Sequence, residues 1–317
     1  MTGHSRAKVL CVALAGVAMA LAGPAQAKPK QVTIFTSLAG STWYGIGAGM
    51  AKIFGEGGVQ SNAELGAALS NIVNVVEGKG EIGLTMTAAV SMAEAGDPPF
   101  KGKIDKVAGL IGLSPSYLQI AVAKDDNIMG VGDLKGKRFV TQPKGAITAE
   151  VFSRTLKAYG LSESDLDLSR GSLDVQIDQM KDRHAKGMVS MASFPASFFS
   201  ELANAVPLRM LPISDAAFAK IAADMPGLAQ ATIPANTYSG QGVPVPTVIS
   251  KMVGVISADM LDDDAYWLAK ALVDNLQAVR ELHSSYKDLT PADFASIPGV
   301  RLHPGAARYY REKGVLK

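Results

Sequence analysis

Cysteine and histidine, which build most disulfides, metal sites and nucleophilic centres, are scarce in this chain. Its 317 residues include one Cys and four His. The histidines lie far apart, at positions 4, 184, 283 and 303, and none belongs to a zinc, calcium or Cys-x-x-Cys pattern. The sequence therefore predicts no disulfide framework, no bound metal and no cofactor.

A marked excess of charge of either sign is also missing. The chain has 31 Lys and Arg against 29 Asp and Glu, a formal net charge of +2. A chain so close to neutral has no electrostatic reason to bind nucleic acid or an anionic membrane surface. We expect neither as a partner.

Loops typical of catalysis are absent as well. No G-x-S-x-G elbow occurs. The run Gly45-Ile46-Gly47-Ala48-Gly49 has some likeness to a dinucleotide loop, but it lacks the third glycine at the required offset and follows Trp43-Tyr44. We interpret these glycines as sites of close helix packing, and the sequence predicts no enzyme.

The first 27 residues have the pattern of a secretory signal peptide. Basic residues precede an apolar run over 9–22, and Ala25-Gln26-Ala27 forms an A-x-A cleavage site. The apolar run is short for a membrane span, although a retained anchor is the alternative. Cleavage would remove Cys11 and leave equal numbers of basic and acidic residues. We expect export to the periplasm.

Strand-like and helix-like segments alternate through the remaining chain, which predicts an α/β architecture with parallel sheets. We expect separate strands over 106–113 and 118–124, divided by a break at Ser114-Pro115-Ser116, and a single helix over 262–282. The predicted organisation is two-lobed. Lobe I comprises 28–116 and 248–317, and lobe II, inserted, comprises 117–247. Crossings near 114–117 and 243–247 would form a hinge with a ligand cleft between the lobes.

The strongest local candidate for a ligand site is the loop that follows the first strand. Ser37-Leu38-Ala39-Gly40-Ser41-Thr42 offers hydroxyls and backbone N–H groups at the start of a helix. The first turn of a helix carries free N–H groups and the positive end of the dipole, so such a loop suits an anion. A plain strand-to-helix turn with a good N-cap is the alternative.

Five segments resemble the TAXI-type solute receptors of TRAP transporters. They are TSLAGSTWYGIG (36–47), DLKGKRFV (133–140), KAYGLSESDL (157–166), ATIPANTYSGQGVPVPTV (231–248) and LHPGAARYYREKGVL (302–316). The resemblance implies a two-lobed periplasmic binding protein of type II fold with a hinged cleft. It also implies a monomer that captures a small carboxylate, similar to glutamate, glutamine or a dicarboxylate, and delivers it to a TRAP membrane permease.

The chain departs from the family pattern at positions that bear on the ligand. Ser41-Thr42-Trp43 replaces a Gly-Thr-Tyr type of run, and Met86-Thr87-Ala88 lacks the usual amide and acidic residues. Lys144 stands where the family has small residues, and 194–199 (FPASFF) is unusually aromatic. These departures predict a pocket that is less polar on one side and has an added positive charge.

The predicted ligand-binding set combines the first loop with residues expected around the cleft. Thr87 could instead be only an N-cap, Lys144 a solvated loop residue and Phe194 a core residue. Tyr117 is a weaker candidate. The full set is Gly40, Ser41, Thr42, Tyr44, Thr87, Lys144, Thr148, Phe194, Tyr238 and Gln241.

Two other functions remain open at this stage. A receptor of the same fold could serve an ATP-driven importer or a sensor kinase, because fold does not determine the partner. A secreted enzyme on a two-lobed scaffold would need a nucleophile or an acid/base pair in the cleft, and the sequence suggests none.

Overall fold

The computed structural model describes residues 28–316. The predicted signal peptide, with Cys11 and His4, lies outside the described residues. Within 28–316, no helix combines the length and apolar character that crossing a membrane requires.

The described residues alternate strands and helices, as predicted, in a mixed α/β fold. The strands are β1 (Gln31–Phe35), β2 (Gln60–Glu64), β3 (Ile82–Met86), β4 (Val107–Ala123), β5 (Arg138–Thr141), β6 (Asp167–Arg170), β7 (Gly187–Ala192), β8 (Leu208–Met210), β9 (Leu228–Ile233) and β10 (Val245–Ser257). The helices are α1 (Thr42–Glu56), α2 (Ala68–Val76), α3 (Thr87–Ala95), α4 (Ile147–Ala158), α5 (Leu173–Lys181), α6 (Ser197–Ala205), α7 (Asp215–Asp224), α8 (Asp262–Asp274), α9 (Leu276–Glu281), α10 (Pro291–Ala295) and α11 (Pro304–Glu312).

Ten strands of the described residues form one sheet in the order β2-β1-β3-β10-β4-β7-β5-β6, with β9 added on β10 and β8 on β4. β1 pairs in parallel with β2 and β3, and β5 pairs in parallel with β6 and β7. The two long strands β4 and β10 are antiparallel to each other and join the two parallel sets. The same three-strand arrangement therefore occurs twice, once on each side of the central pair.

The break predicted at Ser114-Pro115-Ser116 was wrong, because β4 runs without interruption from Val107 to Ala123. Pro115 lies opposite Lys251 of β10, whereas pairing with β7 on the other side of β4 begins only at Tyr117. A proline lacks a backbone N–H, and it is tolerated where a strand has no neighbour on one side.

The single helix predicted over 262–282 was also wrong in its extent. The chain forms α8 and α9, and Asn275 between them has φ −103° and ψ 35°. The Asn275 side chain donates a hydrogen bond from Nδ2 to the Ala271 carbonyl at 2.8 Å. Asparagine competes in this way with the helix for backbone hydrogen bonds, which explains the break at this position. The apolar period of the sequence continues across that break.

Buried apolar side chains form three clusters. The first draws its residues from 32–113 and 252–310, and it packs α1, α2, α8 and α11 against the first parallel set. The other two draw theirs from 118–248, joined by Ala88 and Met92 of α3. One of these contains residues of α4 and α7, and the other contains residues of α5 and α6.

The carboxyl ends of both parallel sets meet beside the middle of the two long strands. Met86, the last residue of β3, pairs with Met252 of β10, and Ala192, the last residue of β7, pairs with Tyr117 of β4. Because β1 and β5 run parallel to these strands, the loops after β1, β3, β5 and β7 converge on one region. In open α/β sheets, ligands bind outside the carboxyl ends of the strands.

Candidate functional site

The loop after β1 has the geometry predicted for an anion-binding turn. The Ser41 hydroxyl caps α1 by accepting a hydrogen bond from the Tyr44 N–H at 3.2 Å. Gly40, before the cap, has φ +77°, a backbone conformation that favours glycine. Gly40 and Thr42 are exposed and Ser41 is half-buried. The remaining free N–H groups of the first helical turn are thus open to a ligand.

Tyr44 lies at the edge of this arrangement. It is half-buried and lines a groove of about 700 Å³ between α1 and β2, together with Lys52, Ser61 and Asn62. The groove runs along the outermost strand of the first parallel set. Tyr44 therefore follows the outer side of α1, whereas Gly40, Ser41 and Thr42 stay together at its start.

Thr87 is fully buried rather than open to a cleft. Its hydroxyl donates a hydrogen bond to the Gly227 carbonyl and accepts one from the Lys251 N–H at 3.0 Å. The Ser250 hydroxyl lies 3.2 Å away. These bonds tie the start of α3 to β9 and β10. We therefore leave Thr87 out of the proposed site.

The junction of β5 and α4 carries one threonine on each element. Phe139 of β5 stacks on Phe152 of α4, with ring centroids 4.9 Å apart. Thr141 is two residues beyond Phe139 and so lies on the same face of the strand, while Thr148 lies one helical turn before Phe152. Thr141 and Thr148 therefore lie on the sides of β5 and α4 that face each other.

Neither of these threonine hydroxyls has a hydrogen-bond partner within residues 28–316. Thr141 is fully buried, and its Oγ1 is one of the few buried side-chain atoms there that lack a partner. Thr148 is 5% exposed. The N-cap residue of α4, Ala146, has no side-chain oxygen to cap the helix. The first turn of α4 thus has free N–H groups, and Thr141 has a free hydroxyl of the kind that buried polar groups normally avoid.

Lys144 lies in the same loop, two residues before the N-cap of α4. Its side chain is exposed, and it forms no ion pair with a carboxylate of the described residues. Arg170 at the end of β6 was not predicted. It donates one hydrogen bond to the Gln142 carbonyl at 3.0 Å and another to Glu163 at 2.6 Å. Arg170 therefore holds the loop in place, with its charge already neutralised.

An aromatic pair lies where β4 passes the end of β7. Tyr117 and Phe194 meet edge to face, with ring centroids 4.5 Å apart. Both are half-buried, and burial raises the pKa of Tyr117 above its ordinary value. Phe194, predicted for the cleft, and Tyr117, the weaker candidate, thus form one apolar surface beside the converging loops.

Tyr238 and Gln241 are buried parts of a hydrogen-bond network. The Tyr238 hydroxyl donates to Gln119 Oε1 at 2.5 Å and accepts from the Ala196 N–H at 2.9 Å. Gln241 Nε2 donates to the carbonyls of Pro234 and Val243 at 2.8 and 3.1 Å. Their polar tips support loops, so we leave both residues out of the proposed site.

Sequence reasoning missed Thr141, Arg170 and Gln119. A usable signal existed only for Thr141, because the alternation from Phe139 places it on the buried α4 side of a strand end. Gln119 contacts residues more than seventy positions away, and Arg170 contacts Gln142 and Glu163 across separate elements, so no local pattern indicates those contacts. No group of three or more His, Asp or Glu side chains within 28–316 is arranged to hold a metal.

The repeated parallel sets, the two connecting strands and the converging loops define the class of this molecule. Its fold is the type II-like fold of periplasmic solute-binding proteins. It is similar to the TctC solute-binding protein from Polaromonas (13% identity, TM-score 0.56, covering 89% of this chain and 96% of that one). It is also similar to XAC2383 from Xanthomonas citri, solved with a chloride ion (11% identity, TM-score 0.52, covering 90% and 98%).

A third similar structure is the periplasmic aliphatic sulphonate-binding protein SsuA from Escherichia coli (12% identity, TM-score 0.47, covering 90% and 84%). Residues 34–314 match the model of the NMT1-like family. The chain belongs to the NMT1-like family.

Proposed function

We propose that this protein is a periplasmic solute receptor that captures a small carboxylate between two lobes and delivers it to a TRAP membrane permease. The observation that carries the proposal lies at the start of α4, an uncapped helix, where the fully buried Thr141 hydroxyl has no partner within residues 28–316. The family and the fold support a receptor, and the TAXI-like segments support the TRAP partner and the carboxylate.

The two lobes are 28–116 with 248–317, and 117–247. The first half of β10, Val245–Ser250, pairs with β9, whereas Met252–Val255 pairs with β3. Because β10 changes its pairing partner there, we place the second crossing of the chain between the lobes at 250–252, slightly later than the predicted 243–247. Residues 1–27 act as the export signal, and the receptor functions as a monomer.

In this proposal the carboxylate rests between two helix starts. Gly40, Ser41 and Thr42 supply N–H groups and hydroxyls from lobe I, and Thr148, supported by Thr141, supplies them from lobe II. Hydrogen bonds to a charged acceptor are stronger than neutral ones. Each of the two helix starts also presents the positive end of its dipole to the anion. The Tyr117–Phe194 pair provides an apolar wall for the rest of the solute.

The basic test is a thermal-shift screen of amino acids and of mono-, di- and keto-carboxylates. A solute at about 100 times its dissociation constant should stabilise the protein by roughly 2.7 kcal/mol. X-ray scattering should then show compaction at saturation. Mass spectrometry after long incubation should recover the solute unchanged, and a converted product would instead indicate an enzyme.

Calorimetry on variants tests the assigned contacts. Thr148→Val should weaken binding about tenfold, because a desolvated hydrogen bond to a carboxylate is lost. Thr155→Val is the matched control, since the Thr155 hydroxyl donates within α4 to the Val151 carbonyl. Unchanged affinity in Thr148→Val would exclude this residue from the site.

Lys144→Ala tests whether an exposed lysine becomes the counter-charge when the solute is bound. A desolvated charge-assisted bond is worth about 1.5–3 kcal/mol, which corresponds to a ten- to hundredfold loss of affinity. A solvated surface pair contributes less than about 1 kcal/mol. Affinity within twofold of wild type would remove Lys144 from the site.

The alternative partners are an ATP-driven importer and a sensor kinase. A neighbouring gene for a permease with many membrane spans would favour the TRAP assignment. A neighbouring ATPase or kinase gene would favour the alternatives and would leave solute capture intact.

A further inference from the structure

We propose that a groove along α2 is the docking site for an apolar segment, flanked by carboxylates, of the membrane-embedded partner. The inference rests on the proposed function, since only a delivering receptor needs such a partner. The α2 groove has a volume of about 670 Å³ and lies between α2 and the loop that follows α3. The residues that define it are Ala67, Leu69, Val73, Phe100, Lys101, Lys103 and Ile104.

The helix α2 has more apolar surface than its packing on the sheet requires. Ile72 and Val75 are buried in the first core cluster and hold the helix in place. Leu69 and Val73, four residues apart, are only half-buried and line the groove, and Leu69 also packs against the edge of the first core cluster. A helix with apolar side chains on more than one face normally has each of those faces covered. The half-exposed side chains of Leu69 and Val73 are therefore available for contact with a partner.

The charges around the groove indicate the sign of that partner. Lys101 and Lys103 are exposed and form no ion pair or hydrogen bond with another described residue. Glu77, which also lines the groove, is already paired with Lys79 at 2.6 Å. The side of the groove formed by the loop is therefore positive, which complements a carboxylate-bearing segment.

The position of the groove suits contact during delivery. Glu64 at the end of β2 pairs with Phe35 at the end of β1, so the loop leading into α2 lies beside the Ser37–Ser41 loop. Leu38 and Leu65, 73% and 55% exposed, lie in these two loops. Exposed leucines thus lie both in the loop at the proposed cleft and in the loop that leads into α2.

Photo-crosslinking in cells that express the full chain tests the proposal. The photoreactive residue p-benzoylphenylalanine replaces Val73, and in a control it replaces Val175, which is 42% exposed on α5. We expect an adduct from position 73 with an integral membrane protein, mapped by mass spectrometry to an extracytoplasmic peptide that contains Asp or Glu. The control position 175 should give at least fivefold less of this adduct.

Charge reversal provides the decisive comparison. Lys101→Glu with Lys103→Glu should reduce the adduct at least fivefold, whereas Lys181→Glu with Lys287→Glu, at exposed sites elsewhere, should not. Absence of a membrane-protein adduct, an adduct only with non-membrane proteins, or an adduct insensitive to the Lys101/Lys103 reversal would overturn the proposal. The thermal shift with the best carboxylate should be unchanged in both double variants. The absence of any thermal shift in the wild-type protein would count against the proposed function and not against docking at the α2 groove.

Discussion

At the scale of single residues, the most informative side chains are buried polar groups that hold distant segments together. Tyr238 lies in the loop between β9 and β10, yet its hydroxyl contacts Gln119 of β4 and Ala196 before α6. Gln119 in turn donates to the Ala192 carbonyl at 3.2 Å. This network fixes the end of β7, from which Phe194 projects.

Tyr238→Phe should destabilise the protein by about 1–3 kcal/mol, because it leaves the Ala196 N–H and the Gln119 oxygen buried without a partner. Urea denaturation measures the change. Tyr44→Phe is the control, since the Tyr44 hydroxyl bonds to no other residue within 28–316, and it should stay within about 0.5 kcal/mol of wild type. Equal stability of the two variants would show that the Tyr238 network contributes nothing.

His303 gives the fold a predictable response to pH. It is buried at the N-cap of α11, where Nδ1 accepts a hydrogen bond from the Gly305 N–H at 3.2 Å. Burial lowers the pKa of His303 below its ordinary value, and the nearby Asp262 only partly opposes this. Below about pH 6.5 the unfolded chain therefore binds a proton that the folded chain does not, and stability falls as pH falls.

The free energy of unfolding should thus decrease between about pH 7 and pH 5, and His303→Asn should reduce that decrease while keeping a capping side chain. His283→Asn is the control, because His283 also caps a turn but lies at the surface. Denaturant titrations across this pH range provide the measurement. Identical slopes for wild type and His303→Asn would contradict the assignment.

At the scale of elements, α1 shows how glycine spacing determines packing. An added Cβ at Gly47 would lie 2.2 Å from Thr36 Cγ2, and one at Gly49 would lie 2.1 Å from Leu282. Gly45, in the same helix, has no atom within 4 Å of that position. The interpretation of Gly47 and Gly49 as close-packing sites is confirmed, and Gly45 is free of that constraint.

Substitutions at two of these glycines should have opposite effects. Gly47→Ala should destabilise by about 1–3 kcal/mol, because the new methyl group overlaps the buried side chain of Thr36, the residue that follows β1. Gly45→Ala should stabilise by about 0.5–1 kcal/mol through helix propensity alone. Thermal or urea unfolding of both variants checks the signs. A stabilised Gly47→Ala would show that α1 does not pack against β1 as described.

At the scale of the whole molecule, an ion-pair bridge connects the proposed lobes. Arg154 of α4 contacts Asp97, which follows α3, and also Asp224 of α7 at 3.1 Å. The Arg154 side chain is 20% exposed, so the bridge is less screened than a surface pair. Ser91 of α3 adds to the same contact by accepting a hydrogen bond from the Gly227 N–H at 2.6 Å.

Arg154→Met should shift the distribution of distances between the lobes in the protein without solute. Spin labels at Lys52→Cys and Lys181→Cys, in a Cys11→Ser background, report that distance by electron double resonance. Arg138→Met is the control, because Arg138 pairs with Asp167 on the adjacent strand of one parallel set. Superimposable distributions for wild type and Arg154→Met would show that the bridge does not set the lobe arrangement.

The sequence by itself determined the features that depend on neighbouring residues. The alternating apolar segments predicted the α/β fold, and the fold class is confirmed. The capping of α1 by Ser41 and the packing glycines were also readable, because caps, turns and helix faces are decided within a few residues along the chain. The continuation of β4 through Pro115 and the end of α8 at Asn275 were not readable from the sequence. The first depends on the neighbouring strands of the sheet, and the second depends on a side-chain hydrogen bond that competes with the helix.

Only the tertiary structure decided which polar residues are open to a ligand. Thr87, Tyr238 and Gln241 were predicted as cleft residues from their local sequence, yet all three are buried. Thr87 bonds to Gly227 and Tyr238 bonds to Gln119, and each of these partners is more than a hundred positions away. Thr141 differs for the opposite reason, since its buried hydroxyl is one of the few buried polar atoms within 28–316 that have no described partner. Burial and hydrogen-bond satisfaction are properties of the packed molecule, and local sequence patterns do not contain them.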